Sequence, residues 1–154
     1  MRQESKKFSL LVATVILIGA MGIGLIFNKH FSFIIIKGNY MSPLLKNGQI
    51  AVVKKTTDLN YEDIVVFEHE GLNVKRIIGV SGDCIKLYNG RVYVNNVAMS
   101  PYSYEGPEKE YLLDDEVFVI GDNYLESYDS RDYGPISVSA VIGIMAFPAK
   151  NNTY

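Results

Sequence analysis

A run of 21 residues near the N-terminus, Phe8–Asn28, contains no charged side chain. At a rise of about 1.5 Å per residue, a helix of this length spans roughly 30 Å, the thickness of the hydrocarbon core of a bilayer. A cleaved signal peptide is the competing interpretation, but the run is longer than the usual apolar region of one. No small-residue cleavage site follows it, because Asn28-Lys29-His30 comes next. The run therefore favours a transmembrane helix over residues 8–28.

The charges before this run predict how the helix is oriented. Arg2, Lys6 and Lys7 outnumber Glu4 in the first seven residues. Positive charge is retained on the cytoplasmic side of a membrane, so we expect residues 1–7 in the cytoplasm. A single-pass protein of this orientation has the lipid bilayer as its partner over residues 8–28. Residues 31–154 then lie outside the plasma membrane.

After residue 30 the hydrophobic pattern changes to short runs rich in Val, Ile, Phe and Tyr, many of them separated by Gly, Asn or Asp. Such runs predict strands. The predicted strands are Phe31–Lys37, Gln49–Lys54, Asp63–Glu68, Asn73–Val80, Asp83–Leu87, Arg91–Asn95, Glu116–Ile120 and Ala140–Phe147. Asn89-Gly90 predicts a type I′ hairpin turn. Residues 98–115 contain two prolines and many polar groups, and we interpret them as a surface excursion from one all-β domain.

Composition excludes several classes of function. A net charge of −2 and a pI near 5.7 provide no basic field for nucleic acid. A single cysteine, Cys84, excludes an internal disulfide and a cysteine-rich metal site. His30 and His69 are the only histidines, so a His-rich zinc site is excluded. They are also the only candidates for the histidine of a Ser-His-Asp triad. We expect no metal and no cofactor.

Three later segments combine small, charged and hydroxyl-bearing residues. They are Gly38-Asn39-Tyr40-Met41-Ser42-Pro43-Leu44-Leu45, Val74-Lys75-Arg76-Ile77-Ile78-Gly79-Val80-Ser81-Gly82-Asp83, and Gly121-Asp122-Asn123-Tyr124-Leu125-Glu126-Ser127-Tyr128-Asp129-Ser130-Arg131. Together they resemble the motifs of the type I signal peptidases, membrane-anchored serine proteases that use a Ser–Lys dyad. The resemblance extends from residue 38 to residue 148. It implies a mainly β, signal-peptidase-like domain over residues 31–154, preceded by one transmembrane helix.

The first motif of this family reads G-x-S-M-x-P-T-L, and its serine attacks the scissile carbonyl. Gly38, Met41 and Pro43 match the motif, whereas Tyr40 stands at the position of the serine. The hydroxyl of a tyrosine lies roughly 4 Å further from the backbone, and attack requires reacting atoms about 3–3.5 Å apart. The substitution therefore predicts a loss of the nucleophile.

Ser42 is the alternative nucleophile. Residues two apart in an extended strand share a face and lie roughly 6.5 Å apart, so Ser42 could point the same way as Tyr40. It would still lie a full repeat away from Lys75, and a misplacement of about 1 Å can already cost 100-fold in rate. The preferred interpretation remains that Tyr40 replaces the nucleophile and leaves the site inactive.

The second and third motifs keep the positions that the resemblance assigns to catalysis. Lys75 matches the general base, whose pKa burial can lower, although a strand lysine more often extends to solvent. Ser127 would orient Lys75 through a hydrogen bond. Asp129 and Arg131 would form an ion pair that stiffens the loop, since Arg and carboxylate bond in a bidentate way. Gly121, Asp122 and Asn123 begin this third motif, for which a polar surface loop is the less favoured alternative.

The resemblance implies three alternative functions. The preferred one is a non-catalytic signal-peptidase-like protein that binds exported preproteins or pilus subunits by strand addition, as dyad-less members in Gram-positive bacteria imply. The rival is an active signal peptidase that cleaves after small residues at A-x-A sites. The third is an anchored β-domain with a purely structural role. Departures from the family pattern extend beyond the nucleophile: Leu44 for Thr, Gln49 for Asp, Glu62 for Gly, Ser81 for Pro and Tyr124 for Arg.

Overall fold

The structure is a computed structural model that describes residues 12–22, 24 and 29–148. Residues 12–22 form a helix, α1. Within the described residues, no helix is both long and apolar enough to cross a membrane. Most of the predicted cytoplasmic and membrane segments, namely residues 1–11, 23 and 25–28, lie outside the described part. The membrane-spanning helix therefore stays a prediction.

Strands are the main secondary structure of the described chain, as the sequence predicts. The strands are β1 Phe31–Ile35, β2 Ile50–Lys54, β3 Ile64–Glu68, β4 Leu72–Gly79, β5 Cys84–Tyr88, β6 Arg91–Val94, β7 Val97–Ser103, β8 Lys109–Leu112, β9 Glu116–Ile120, β10 Ile136–Ser137 and β11 Val141–Phe147. A short helix, α2, covers Ser130–Tyr133, and a 3₁₀ turn covers Val138–Ala140. The chain divides into two compact units, residues 1–32 and residues 33–154.

The strands belong to two antiparallel sheets. The larger sheet has seven strands in the order β1-β2-β11-β3-β4-β9-β10, and the smaller has four in the order β7-β6-β5-β8. The predicted Asn89-Gly90 turn joins β5 to β6: both residues have positive φ, 47° and 76°, and Tyr88 pairs with Arg91. This is the backbone that a type I′ hairpin requires.

The interpretation of residues 98–115 as a surface excursion is wrong. Most of β7 and all of β8 lie in this segment, where they form the two edges of the smaller sheet. Proline is tolerated at a sheet edge, so Pro101 in β7 does not prevent pairing. Tyr102 and Tyr104 are buried in the core beneath this sheet, which also explains why the segment is ordered against it.

Among the strand edges of the larger sheet that no neighbouring strand covers, within the described residues, are those of β1 and of the first half of β4. β1 is the outermost strand of its sheet. β4 pairs with β3 along Leu72–Arg76, but β9 pairs with it only from Arg76 onward. The Leu72–Lys75 stretch of β4 therefore has a strand on one side alone. Alternate residues of β4 point to opposite faces, so Lys75 and Arg76 face different surroundings.

Candidate active site

Lys75 lies in the middle of β4, opposite Val65 of β3, and its side chain is buried. Its ammonium nitrogen donates a hydrogen bond of 2.7 Å to Ser127 Oγ. Burial disfavours the charged form and lowers the pKa of Lys75 from its ordinary value of 10.5 to about 8, although the nearby Asp129 carboxylate acts against this. The two residues that the resemblance assigns as base and orienting hydroxyl are thus in direct contact.

Tyr40 lies directly against this lysine. Lys75 Nζ is 4.4 Å from the centroid of the Tyr40 ring, a cation–π distance, and 45% of Tyr40 is exposed. On the other wall, a Cβ built at Gly38 would be 3.1 Å from Tyr40 Cε2. Gly38 also has φ of +79°, a backbone region that favours glycine. The ring therefore spans the gap between the Gly38 turn and Lys75.

The loop after β9 holds the Tyr40 turn in place. Asn123 donates its backbone N–H to the Tyr40 carbonyl at 2.9 Å, and its side-chain amide donates to the Asn39 carbonyl at 3.3 Å. A Cβ at Gly121 would collide with Ser127 Oγ and lie 2.6 Å from the Tyr40 carbonyl oxygen. Glycine at 121 thus allows the first and third motifs to approach each other at Lys75.

Asp129 and Arg131 form the ion pair that the resemblance implies. Arg131 Nε and Nη2 each donate to one carboxylate oxygen of Asp129, both at 2.9 Å. Asp129 also caps α2 and accepts the backbone N–H of Gly121 at 3.1 Å. Arg131 donates further to the carbonyls of Ser103 and Tyr124. Both side chains are buried, so the pair fixes the loop that positions Ser127.

A second buried ion pair lies on the opposite face of β4, and sequence reasoning missed it. Arg76 Nε and Nη2 donate to the two oxygens of Asp122 at 2.8 Å and 2.7 Å. Both side chains are almost fully buried, and Arg76 Nη1 donates to the Glu62 carbonyl. The alternation of β4 indicates that Arg76 needs a partner on the face opposite Lys75, but it does not identify Asp122 as that partner.

The alternative nucleophile Ser42 has its backbone hydrogen bond within the turn. Its backbone N–H donates to the Asn39 carbonyl at 3.0 Å, within the turn. Among the described residues, no hydrogen bond joins Ser42 to Lys75. Met41 beside it is buried in a core cluster with Leu45, which anchors the turn, whereas Pro43 is exposed.

A cleft of about 410 Å³ opens between the two uncovered strand edges. One wall is the end of β1 and the turn that follows it, and the other is the first half of β4. Its lining is Ile34, Ile35, Ile36, Lys37, Gly38, Tyr40, Met41, Leu72, Asn73, Val74 and Lys75. Ser42 is not part of this lining. Tyr40 and Lys75 meet at the end where the Gly38 turn approaches β4.

Known proteins resemble this chain over most of its length. Residues 7–149 match the family "Signal peptidase, peptidase S26". Signal peptidase I of Bacillus caldolyticus is 32% identical, over 76% of this chain and 78% of its own. Signal peptidase I U of Bacillus subtilis is 33% identical, over 93% and 88%. The crystal structure of a signal peptidase I from Enterococcus faecalis, 21% identical, covers 56% of this chain and 96% of its own with a TM-score of 0.45. By the family match and these identities, the chain belongs to the peptidase S26 family of signal peptidases.

Proposed function

We propose that this chain is a signal-peptidase-like protein that binds exported precursors without cutting them. The observation that carries the proposal is the position of Tyr40. Its ring lies over the ammonium of Lys75. By the resemblance, residue 40 stands where the family motif has the nucleophilic serine. Among the described residues, Ser127 is the only one whose hydroxyl bonds to Lys75. The base therefore has an orienting partner and no nucleophile to activate.

The cleft supports a binding role through its two uncovered strand edges. An extended peptide that enters between β1 and the Leu72–Lys75 stretch of β4 finds main-chain groups on both sides. In strand addition the backbone hydrogen bonds supply affinity, and pockets for alternate side chains supply specificity. The walls contain Ile34, Ile36 and Val74, which suit small or apolar side chains.

The proposed clients are exported preproteins or pilus subunits. Relatives of this chain are named signal peptidases, and such enzymes act on exported precursors. We propose further that residues 8–28 anchor the chain in the plasma membrane of a Gram-positive bacterium, with the N-terminus in the cytoplasm. The uncharged run and the basic residues before it support this arrangement. The cleft would then face the side on which exported chains emerge.

An active signal peptidase is the second candidate, and the family match favours it. Lys75 and Ser127, to which the resemblance assigns the roles of base and orienting group, are hydrogen-bonded at 2.7 Å, which supports this candidate. Catalysis would then need Ser42 to move into the cleft as a shifted nucleophile. That movement would break the turn contact between Ser42 and Asn39.

A cleavage assay on a preprotein with an A-x-A site tests the proposal. We expect no cleavage by the wild type above background, and no change in Lys75→Ala. Loss of the nucleophile in a serine protease costs roughly 10⁶ in turnover, so a variant prepared in parallel must control for contaminating protease. Tyr40→Ser should recover partial cleavage. Wild-type cleavage that disappears in Ser42→Ala or in Lys75→Ala would instead establish the active peptidase.

A further inference from the structure

We propose that the closed end of the cleft captures the C-terminal carboxylate of an extended peptide, with the Tyr40 hydroxyl and the Lys75 ammonium as the recognising groups. This inference rests on the proposed function, because it assumes that a peptide adds as a strand in the same cleft. It specifies which peptides bind: those whose chain ends at Tyr40. Chains that continue in extended form past this point are excluded.

The closed end is a consequence of the Tyr40 ring. The ring contacts Lys75 on one wall and the Gly38 turn on the other. The Asn123 N–H and side-chain amide hold the backbone of the same turn, so the ring is fixed at its base. Followed from Leu72 to Lys75, the cleft therefore ends at the side chain of Tyr40, which spans it. A peptide strand must end or turn away there.

Charge at this end favours an anion. Lys75 Nζ lies beneath the ring, and Lys37 lines the same cleft. Two carboxylates act on the lysine, but both have partners: Asp129 binds Arg131, and Asp132 accepts the Asp129 backbone N–H. Within the described residues, then, no carboxylate pairs directly with Lys75. A bound carboxylate would supply the missing charge, and backbone or side-chain groups that capture terminal carboxylates are a recurring mode of peptide recognition.

Tyr40 provides the hydrogen-bond donor. No described residue accepts a hydrogen bond from its hydroxyl, and the side chain is nearly half exposed at the cleft. A phenol above a buried ammonium can donate to a carboxylate while the positive charge attracts the same group. Hydrogen-bond donation by Tyr40 and attraction by the charge of Lys75 can be tested separately, because Tyr40→Phe keeps the ring and removes only the hydroxyl.

The test compares one short N-acetylated peptide of Val, Ser and Ala as the free acid and as the C-terminal amide. Isothermal titration against the wild-type domain should show the acid binding about tenfold tighter, as expected for a hydrogen bond to a charged group. Lys75→Met should abolish the difference between acid and amide, and Tyr40→Phe should reduce it. The comparison of the two peptides on the wild type does not depend on any variant. The result for Lys75→Met counts only if that variant still binds the amide.

A pH series gives an independent measurement. Burial lowers the pKa of Lys75 to about 8, so the acid should lose its advantage over the amide as the pH rises above that value. Equal binding of acid and amide would overturn the carboxylate inference and leave the proposed function standing. Equal or tighter binding of an amidated peptide with an internal Glu would also overturn it, since the anion would then be a side chain. Binding of none of these peptides would overturn the proposed function as well.

Discussion

Lys75 and Tyr40 form a contact in which the ammonium nitrogen lies 4.4 Å from the ring centroid. A cation over an aromatic face is worth about 0.5–1 kcal/mol when exposed and about 2 kcal/mol when desolvated. The 2.7 Å hydrogen bond to Ser127 adds a second stabilising partner. Tyr40 and Ser127 therefore both stabilise the charged form of the buried Lys75.

The first prediction concerns stability and pH. Burial lowers the pKa of Lys75 to about 8 from 10.5, so below pH 8 the native state bears the full cost of the buried charge, about 3 kcal/mol. Between about pH 8 and 10.5 the unfolded state binds more protons, and the free energy of unfolding contributed by this residue rises. Lys75→Met lacks this dependence. In urea unfolding, the free energy of unfolding of the wild type should therefore rise relative to that of Lys75→Met as the pH increases across this window. If the two free energies changed in parallel with pH, the buried lysine would be contradicted.

The second prediction concerns the close approach at Gly121. A methyl group there would collide with Ser127 Oγ and with the Tyr40 carbonyl. Overpacking of this kind typically costs about 1–3 kcal/mol, so Gly121→Ala should lower the melting temperature. Gly19→Ala is the control, because Gly19 has no positive φ and nothing lies within 4 Å of an added Cβ there. If Gly121→Ala matched the wild type in stability, the two motifs would not be in contact.

Much of the fold could be predicted from the sequence, because the buried strands are short apolar runs bounded by polar residues. β9, Glu116–Ile120, was predictable to the residue since it is a short apolar run between polar residues. β7 and β8 were not, because their exposed edge positions alternate with only a few apolar residues. Their pairing with β6 and β5 depends on partners elsewhere in the chain, which local pattern does not reveal.

The site was predictable only where a residue has a distinctive chemical role in a motif. Lys75, Ser127, Asp129 and Arg131 could be named from the motifs that the chain shares with signal peptidases. The Arg76–Asp122 pair could not, since no spacing links residues 46 positions apart. The location of the Tyr40 ring over Lys75 is also a tertiary property. It depends on the Gly38 turn and on the hydrogen bonds from Asn123.

The third prediction concerns topology. Because the uncharged run Phe8–Asn28 follows Arg2, Lys6 and Lys7, protease added outside intact cells should digest residues 31–154 and spare the N-terminus. Epitope tags at the two ends, detected by blotting, measure both outcomes at once. Protection of the C-terminal tag would refute the orientation. A mature chain that starts near residue 30 would refute the anchor.

The fourth prediction concerns the Asp129–Arg131 pair. Removing one partner of a buried pair leaves the other charge stranded and typically costs about 3–5 kcal/mol, so Arg131→Ala should lower the melting temperature by roughly 10 °C or more. The matched control is Lys86→Ala, which breaks the Lys86–Glu110 pair, whose side chains are 37% and 62% exposed. Exposed pairs contribute about 0–1 kcal/mol, so this variant should melt within a few degrees of the wild type. Calorimetry of the three proteins at one pH decides the matter. Equal losses in both variants would mean that the loop gains nothing from the burial of its ion pair.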